Sequence, residues 1–227
     1  YIERYGYSKP RLILQILVEY EDGNKEFVFT DNSWKSSHGP IQENGIYYGE
    51  KYDARLEMPG WSTYHFDGDS WEETEVVSGP DLRYQDMPPI RVTRALKPQK
   101  MYSIEPGVYI YDFGQNFTGW VRIAVKGHRG TEVRIRHSEL VNKDGTLNTA
   151  TIRKAEATDT YILKGEGLET YEPRFTYHGF RYIEVAGFPT VPTIESVEGC
   201  FVHTDVEKAG DFYCSNELIN RIHNNIL

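Results

Sequence analysis

The run from 177 to 182 holds the side chains of this sequence that are best suited to binding a small polar molecule. It reads YHGFRY and stands at the start of an expected strand. Aromatic faces can carry the apolar side of a sugar ring, while an Arg or a His hydrogen-bonds its hydroxyls. Tyr177, His178 and Arg181, together with Trp120 from an earlier strand, are therefore the candidate carbohydrate contacts. An aromatic core in which Arg181 pairs locally is the alternative, because aromatic side chains also dominate cores.

Two further sets of residues have partial metal-ligand patterns. Cys200, His203 and Cys214 resemble a soft-metal set, but a structural zinc site needs four ligands and the second half is missing. The run 67 to 69, Asp-Gly-Asp, resembles the start of a calcium loop, but its oxygen ligands do not continue at alternating positions. We predict no metal site, two buried thiols and an acidic surface loop. A single disulfide between the two cysteines is the alternative.

The run 136 to 139, Arg-His-Ser-Glu, places a base, a hydroxyl and a carboxylate close together. Strand alternation sends His137 and Glu139 to one face and Ser138 to the other, so this run does not form a catalytic triad. The sequence also lacks the glycine-rich phosphate motifs, the Gly-x-Ser-x-Gly elbow and the His-Glu-x-x-His motif. We therefore predict no cofactor.

The elements that position these candidates are short strands. Apolar residues recur at every second position in 12 to 20, 121 to 125 and 133 to 135, and Asp22-Gly23 marks a hairpin turn after the first run. Further strands are predicted at 161 to 163, 181 to 186 and 198 to 203. The pattern is typical of an all-β protein made of antiparallel β-sandwiches.

Turn residues and prolines divide this series of strands. Gly114 lies in the run Asp-Phe-Gly-Gln-Asn after a strand and is predicted to supply a positive φ. Five prolines fall between 80 and 106. Because proline lacks an amide donor and restrains the preceding residue, they predict a linker-like crossover that interrupts any strand or helix.

One helix is predicted, at the end of the chain, with Ser215 or Asn216 as its N-cap. Four apolar residues follow helical spacing there: Leu218, Ile219, Ile222 and Ile226. The sequence stops at Leu227, about three turns into the helix, which predicts a fragment whose next part begins with helices. We expect this apolar stripe to fold back on the second β-sandwich or to pair with a second copy, giving a fragment dimer.

Composition limits the classes of function. The 227 residues carry a net charge of −9, which disfavours nucleic acid as a partner. No run approaches the ~18 apolar residues of a membrane span, so we predict a soluble protein, cytoplasmic or exported. The 17 Tyr, 10 Phe and 4 Trp favour strands. The length suits two small domains.

Several segments, in order along nearly the whole chain, resemble the N-terminal part of bacterial α-L-rhamnosidases. The strings DFGQNFTGW and FTYHGFRY are the most specific of them. The segments lie at 30 to 41, 49 to 61, 88 to 92, 106 to 123, 134 to 148, 158 to 167, 172 to 189 and 212 to 226. The resemblance implies a multidomain inverting glycoside hydrolase, in which accessory β-sandwiches precede an (α/α)-barrel that removes terminal α-L-rhamnose.

The same resemblance implies a division of the chain. Residues 1 to 96 would be the later part of an N-terminal β-sandwich with the proline-rich crossover, and 97 to 205 a concanavalin-like sandwich. Residues 206 to 227 would begin the catalytic barrel. The family carries its acid and base in that barrel, so no residue here is predicted to be catalytic, including Glu139 and Glu184.

Three functions are compatible with this sequence. The first is the accessory region of a rhamnosidase, whose partners are its own catalytic barrel and, through the parent enzyme, a rhamnose-containing glycoside or polysaccharide. The second is a free-standing lectin-like carbohydrate-binding module, which the aromatic-rich composition favours. The third is an architectural spacer that contacts no sugar.

Overall fold

The computed structural model describes residues 10–226. The strands, in chain order, are β1 (Gln15–Glu19), β2 (Lys25–Phe29), β3 (Lys35–Ser36), β4 (Ile41–Gly45), β5 (Gly49–Asp53), β6 (Glu72–Glu73), β7 (Ile90–Leu96), β8 (Lys100–Glu105), β9 (Val108–Lys126), β10 (Glu132–Ser138), β11 (Leu140–Val141), β12 (Leu147–Asn148), β13 (Thr158–Ile162), β14 (Leu168–Tyr171), β15 (His178–Ala186) and β16 (Val197–Thr204). Short 3-10 turns occupy Ala54–Leu56, Ala150–Ile152 and Ile194–Ser196, and α1 spans Glu217–Ile226. The all-β class with a terminal helix is confirmed.

The hairpin expected near the start of the chain is present. β1 and β2 pair antiparallel, and Gly23, with φ 85°, closes the turn through a hydrogen bond from its amide to the carbonyl of Tyr20 (2.9 Å). The first strand begins at Gln15 rather than at Leu12. Residues 1 to 9, which precede it, lie outside the described range.

A ten-stranded sheet forms most of the structure. Its main path runs in the order β4-β5-β13-β10-β15-β9-β16-β7, with β8 and β14 also paired to β9. β9 is 19 residues long, so its first half pairs with β8 and β15, and its second half pairs with β14 and β16. This long strand joins the two halves of the sheet.

Two glycines allow β9 to curl and to approach its neighbours. Gly114 has φ +78°, as the sequence predicted, and its amide donates to Oδ1 of Asp112 at 2.7 Å. Gly119 lies so close to β16 that a Cβ there would sit 1.9 Å from the carbonyl oxygen of Cys200. Only glycine fits both positions without moving backbone or adding strain.

The proline-rich stretch differs from the sequence prediction. β7 and β8 both lie inside 80 to 106, and β7 pairs antiparallel with β16. The reading of this whole stretch as a crossover without strands was wrong. Four of the five prolines, at 88, 89, 98 and 106, fall just outside the strand ends, where the missing amide is not needed, and Pro80 lies well before β7. Ile90–Leu96 is therefore free to pair.

The sheet is mixed rather than purely antiparallel, because β5 runs parallel to β13. About a hundred residues separate these strands, so no tight turn dictates their direction. The pairings of β5 with β13 and of β7 with β16 also carry the sheet across residue 96, where the sequence resemblance placed a domain boundary.

The core lies on one face of the curled sheet. Val121, Ile123 and Val125 are buried and alternate with more exposed neighbours, as predicted, and Val133 and Ile135 do the same on β10. The remaining buried members of this cluster are Ala54, Tyr111, Phe113, Phe117, Tyr161, Leu163, Tyr171, Phe180, Ile183, Val185 and Val197. Aromatic rings therefore fill much of the core.

Helix α1 begins where the sequence placed it. Oδ1 of Asn216 accepts hydrogen bonds from the amides of Leu218 (3.0 Å) and Ile219 (3.4 Å), so Asn216 rather than Ser215 is the cap. None of the helix residues is buried. The predicted fold-back of its apolar stripe onto the β-domains does not occur among the described residues. No helix in residues 10–226 is long and apolar enough to cross a membrane.

Candidate functional site

The four predicted carbohydrate contacts lie on two adjacent strands and do not converge. Trp120 is on β9, Tyr177 directly precedes β15, and His178 and Arg181 lie on β15. The polar groups of Trp120, His178 and Arg181 bond to three different carboxylates, those of Glu172, Asp159 and Asp112. Their role as contacts stays a prediction.

Trp120 belongs to a half-buried polar network. Its indole Nε1 donates to Oε2 of Glu172 at 2.8 Å, and Arg122 donates to both oxygens of the same carboxylate and to Glu198 (2.8 Å). Cys200 lies beside this network, and burial raises the pKa of its thiol to about 12. The network therefore satisfies its own donors and leaves Cys200 as a protonated thiol with little nucleophilicity.

Arg181 forms a bidentate ion pair. Its Nε and Nη2 donate to the two oxygens of Asp112 at 2.8 and 2.9 Å, and its guanidinium lies 4.9 Å from the ring centroid of Tyr182. The hydrogen bond from Arg181 lowers the pKa of the Asp112 carboxyl despite partial burial. Local pairing of Arg181, the alternative weighed from the sequence, is therefore what the structure shows.

Tyr177 and His178 point to opposite sides. Tyr177 is 47% exposed, whereas His178 is only 5% exposed. Nε2 of His178 lies 3.2 Å from each oxygen of Asp159, and its ring stacks on that of His137 at a centroid distance of 4.0 Å. An external sugar can reach Tyr177 directly but can reach His178 only if the core opens.

His137, Asp159 and His178 form a buried cluster that sequence reasoning missed. Their potential ligand atoms lie within 4.8 Å of one another. Nδ1 of His137 lies 2.9 Å from the carbonyl oxygen of Ala157, which can only accept, so Nδ1 carries the proton. The Nε2 lone pair of His137 then has no hydrogen-bond partner and lies 3.8 Å from Asp159.

The electrostatics of the cluster follow from its burial. Burial, reinforced by the neighbouring His178, lowers the pKa of His137 to about 3, so its imidazole is neutral. Burial by itself would raise the pKa of Asp159, but the hydrogen bond from His178 is the largest of the effects that bring it below its ordinary value. The rings of His137 and His178 are nearly parallel, with an angle of 24° between their planes, as in a packed pair. Two histidines that bind one tetrahedral ion approach it from different directions. The absence of a metal stays a prediction.

Glu50 is a second buried acid that the sequence did not reveal. Its carboxylate accepts from the hydroxyl of Tyr171 (3.2 Å) and from the amides of Arg174 (3.0 Å) and Phe175 (3.2 Å). Burial raises its pKa, against the effect of these donors. Glu50 thereby joins β5 to the segment before β15, which is a structural task.

Alternation along β10, β13 and β15 could have indicated the histidine cluster, because it places His137, Asp159 and His178 on buried positions. What it could not supply was the neighbour order β13-β10-β15. The polar cavity of about 400 Å³ that lies over β10 and β13 was missed for the same reason. It is lined by Arg134, Arg136, Thr149, Ile152, Arg153, Ala155, Glu156, Thr158 and Thr160.

Taken together, the long curled sheet, its aromatic core and its internally paired charges define an all-β protein. Comparison with known families agrees. The family model of the bacterial alpha-L-rhamnosidase concanavalin-like domain matches residues 102–203, and that of the alpha-L-rhamnosidase N-terminal domain matches residues 2–94. The chain belongs to the α-L-rhamnosidase family and carries these two domains.

Individual relatives give the same result. An alpha-L-rhamnosidase of Streptomyces avermitilis is 44% identical over 98% of this chain, which covers 22% of that protein. The solved structure of alpha-L-rhamnosidase from Dictyoglumus thermophilum is 56% identical with a TM-score of 0.93, over 98% of this chain and 26% of the other. The S. avermitilis enzyme complexed with L-rhamnose is 44% identical with a TM-score of 0.86, over 94% of this chain and 21% of the other. The chain thus spans about a quarter of these relatives.

Proposed function

We propose that this chain is the accessory β-region of an α-L-rhamnosidase that hydrolyses terminal α-L-rhamnose from glycosides or polysaccharides. In this proposal the chain supports the catalytic domain or its substrate and is not catalytic alone. The observation that carries it is coverage: two rhamnosidase domain models match the chain, yet it spans only 22% of the S. avermitilis relative. The remaining length of such relatives has room for the catalytic machinery.

The carboxylates of the chain support a structural role. Inverting hydrolysis needs two carboxyl groups about 6.5 to 9.5 Å apart that face a sugar and a water. Asp112 and Glu184 are instead held by Arg181 and Arg136, at 2.8 and 3.0 Å. A carboxylate held in an internal ion pair is poorly placed to donate a proton to a leaving group.

Helix α1 supports the proposal that residues 206 to 227 begin a helical domain. The side chains of its stripe are exposed by 64% at Leu218, 45% at Ile219, 50% at Ile222 and 79% at Ile226. A short amphipathic helix gains most of its stability from packing of its apolar face. We propose that further helices of the parent enzyme cover this stripe.

A hydrolysis assay tests the accessory role. The chain is incubated with an aryl α-L-rhamnoside, and the full-length S. avermitilis relative serves as the positive control. We expect release of the aryl group by the relative and none above the buffer blank by the chain. Turnover by the chain that survives repurification would refute the proposal.

The exposed aromatic residues favour a second candidate, a lectin-like module. Phe175 and Tyr177, two positions apart before β15, are exposed by 65% and 47%. Such rings can stack on a sugar face. Titration with L-rhamnose, followed by NMR, tests this function: a module would show saturable shifts that Tyr177→Ala removes and that Tyr84→Ala, at a site 92% exposed, leaves intact.

A further inference from the structure

The polar cavity over β10 and β13 is positively charged, although the whole chain carries a net charge of −9. Three arginines line it: Arg134, Arg136 and Arg153. Opposite them stand one lining carboxylate, Glu156, and Glu184, which pairs with Arg136 at 3.0 Å. The cavity therefore keeps an excess of positive charge.

The floor of the cavity is set by strand pairing. Arg134 lies opposite Thr160, and Arg136 lies opposite Thr158, in the antiparallel register of β10 and β13. Residues directly opposite each other in such a pair share one face of the sheet. Two guanidinium groups and two hydroxyl groups thus form one polar floor, whose reverse side is the buried face with Ile135 and Asp159.

The wall of the cavity is a fixed loop. The amides of Glu156 and Ala157 both donate to the carbonyl oxygen of Tyr47, at 2.8 and 3.1 Å, and the carbonyl of Ala157 accepts from the amide of His137 at 3.0 Å. Arg153 and Ala157 have positive φ values of 56° and 43°. A non-glycine residue persists at such φ values only where its surroundings enforce it.

Two of the three guanidinium groups are available to a ligand. In residues 10–226, the one ion pair made by these arginines is that of Arg136 with Glu184. Arg134, on the floor, and Arg153, on the loop, are both exposed. Arginine forks bind carboxylates through two parallel hydrogen bonds, which favours a planar carboxylate as the ligand group.

We propose that this cavity binds an acidic sugar unit, a uronate, whose carboxylate is held by Arg134 and Arg153. The threonine hydroxyls and Glu156 then meet the sugar hydroxyls, as donors and acceptors. The volume of about 400 Å³ lies within the range of small-molecule sites and accommodates a monosaccharide. The choice of a sugar rests on the proposed function, and the choice of an anion rests on the arginines.

The test is a titration of the chain, followed by NMR, with D-glucuronate and D-galacturonate, and with L-rhamnose and acetate as probes that each lack one feature. We expect saturable shifts at the lining residues with a uronate, and much weaker binding of L-rhamnose and acetate. Arg134→Ala and Arg153→Ala should each weaken uronate binding about tenfold, the size expected for a lost charge-assisted hydrogen bond. Arg83→Ala, which removes the same charge at an exposed site outside the cavity, should not weaken it.

Each other outcome refutes the inference. If acetate bound as tightly as a uronate, the cavity would be an anion site without sugar recognition. If L-rhamnose bound as tightly as a uronate, the arginines would not contribute to binding. If no probe gave saturable shifts, the cavity would not be a binding site. Arg136 is left unchanged because its removal would leave the nearly buried Glu184 without its ion-pair partner and would endanger folding. Failure here leaves the accessory role intact, because the hydrolysis assay tests that role separately.

Discussion

The imidazole of His178 stacks on that of His137 with a centroid distance of 4.0 Å, and both rings face the carboxylate of Asp159. The three residues come from β15, β10 and β13, so their side chains connect three neighbouring strands at one point of the sheet. All three side chains are nearly inaccessible to water. A residue predicted to contact an external ligand thus lies in the interior.

The first prediction concerns pH. Burial holds the pKa of His137 near 3, whereas an unfolded histidine titrates near 6.5. Between these values the unfolded chain binds a proton that the folded chain does not, so stability is present above about pH 6.5 and is lost as pH falls. The free energy of unfolding should fall by up to ~1.4 kcal/mol per pH unit from this group.

Urea denaturation between pH 7 and pH 5 measures this slope. Asp159 has a lowered pKa and loses its contribution only below about pH 4, its unfolded value. His137→Asn keeps an amide donor for the carbonyl of Ala157 and cannot titrate, so its slope should be shallower than that of the native chain. His128→Asn, at an exposed site, should leave the slope as it is. Identical slopes in all three proteins would contradict the prediction.

The second prediction concerns the thiols. Both cysteines are free in the described structure; Cys200 is fully buried and Cys214 is half-buried. Because the thiolate is the reactive form, and burial raises the pKa of Cys200 to about 12, Cys214 should react with a thiol reagent first. A chromogenic disulfide reagent should detect about one reactive thiol per native chain and about two per chain after denaturation. Rapid labelling of a Cys214→Ser variant would show that Cys200 is accessible.

The third prediction concerns Gly114. A side chain there must adopt φ +78°, and its Cβ would lie 2.3 Å from the side chain of Gln99. Gln99 can move, but the backbone cannot easily leave β9, so Gly114→Val should cost about 1 to 3 kcal/mol of stability. Gly179→Val provides the control, because Gly179 on β15 has no positive φ and a Cβ added to it would meet no atom within 4 Å. Equal thermal midpoints for the two variants would be evidence against strain at Gly114.

The fourth prediction concerns the helix stripe. Its exposed apolar residues have no cover within the described chain, and such surfaces tend to be used as interfaces. We expect concentration-dependent self-association of the chain in static light scattering. Ile222→Lys with Ile226→Lys should abolish it while leaving the circular dichroism of the sheet unchanged. Asn224→Lys with Glu217→Gln raises the net charge by the same two units on the helix face away from the stripe, and should leave association intact. A native chain that stays monomeric at high concentration would refute this prediction.

The sequence alone determined the local features of this protein. Alternation at Val121, Ile123 and Val125 identified a half-buried strand, and helical spacing with Asn216 located the terminal helix, because both depend on neighbours within a few residues. The ordered motifs also identified the family correctly. Gly114 was assigned a positive φ for a similarly local reason.

The tertiary structure decided which side chains meet. His178 became an internal partner of Asp159, and Arg134 came to face Thr160, because β13, β10 and β15 lie side by side. β7 became a sheet strand within a proline-rich stretch because β16, a hundred residues later, offers it a free edge. Such pairings depend on contacts between distant segments, and their free energy comes from burying a shared core, so no local pattern encodes them.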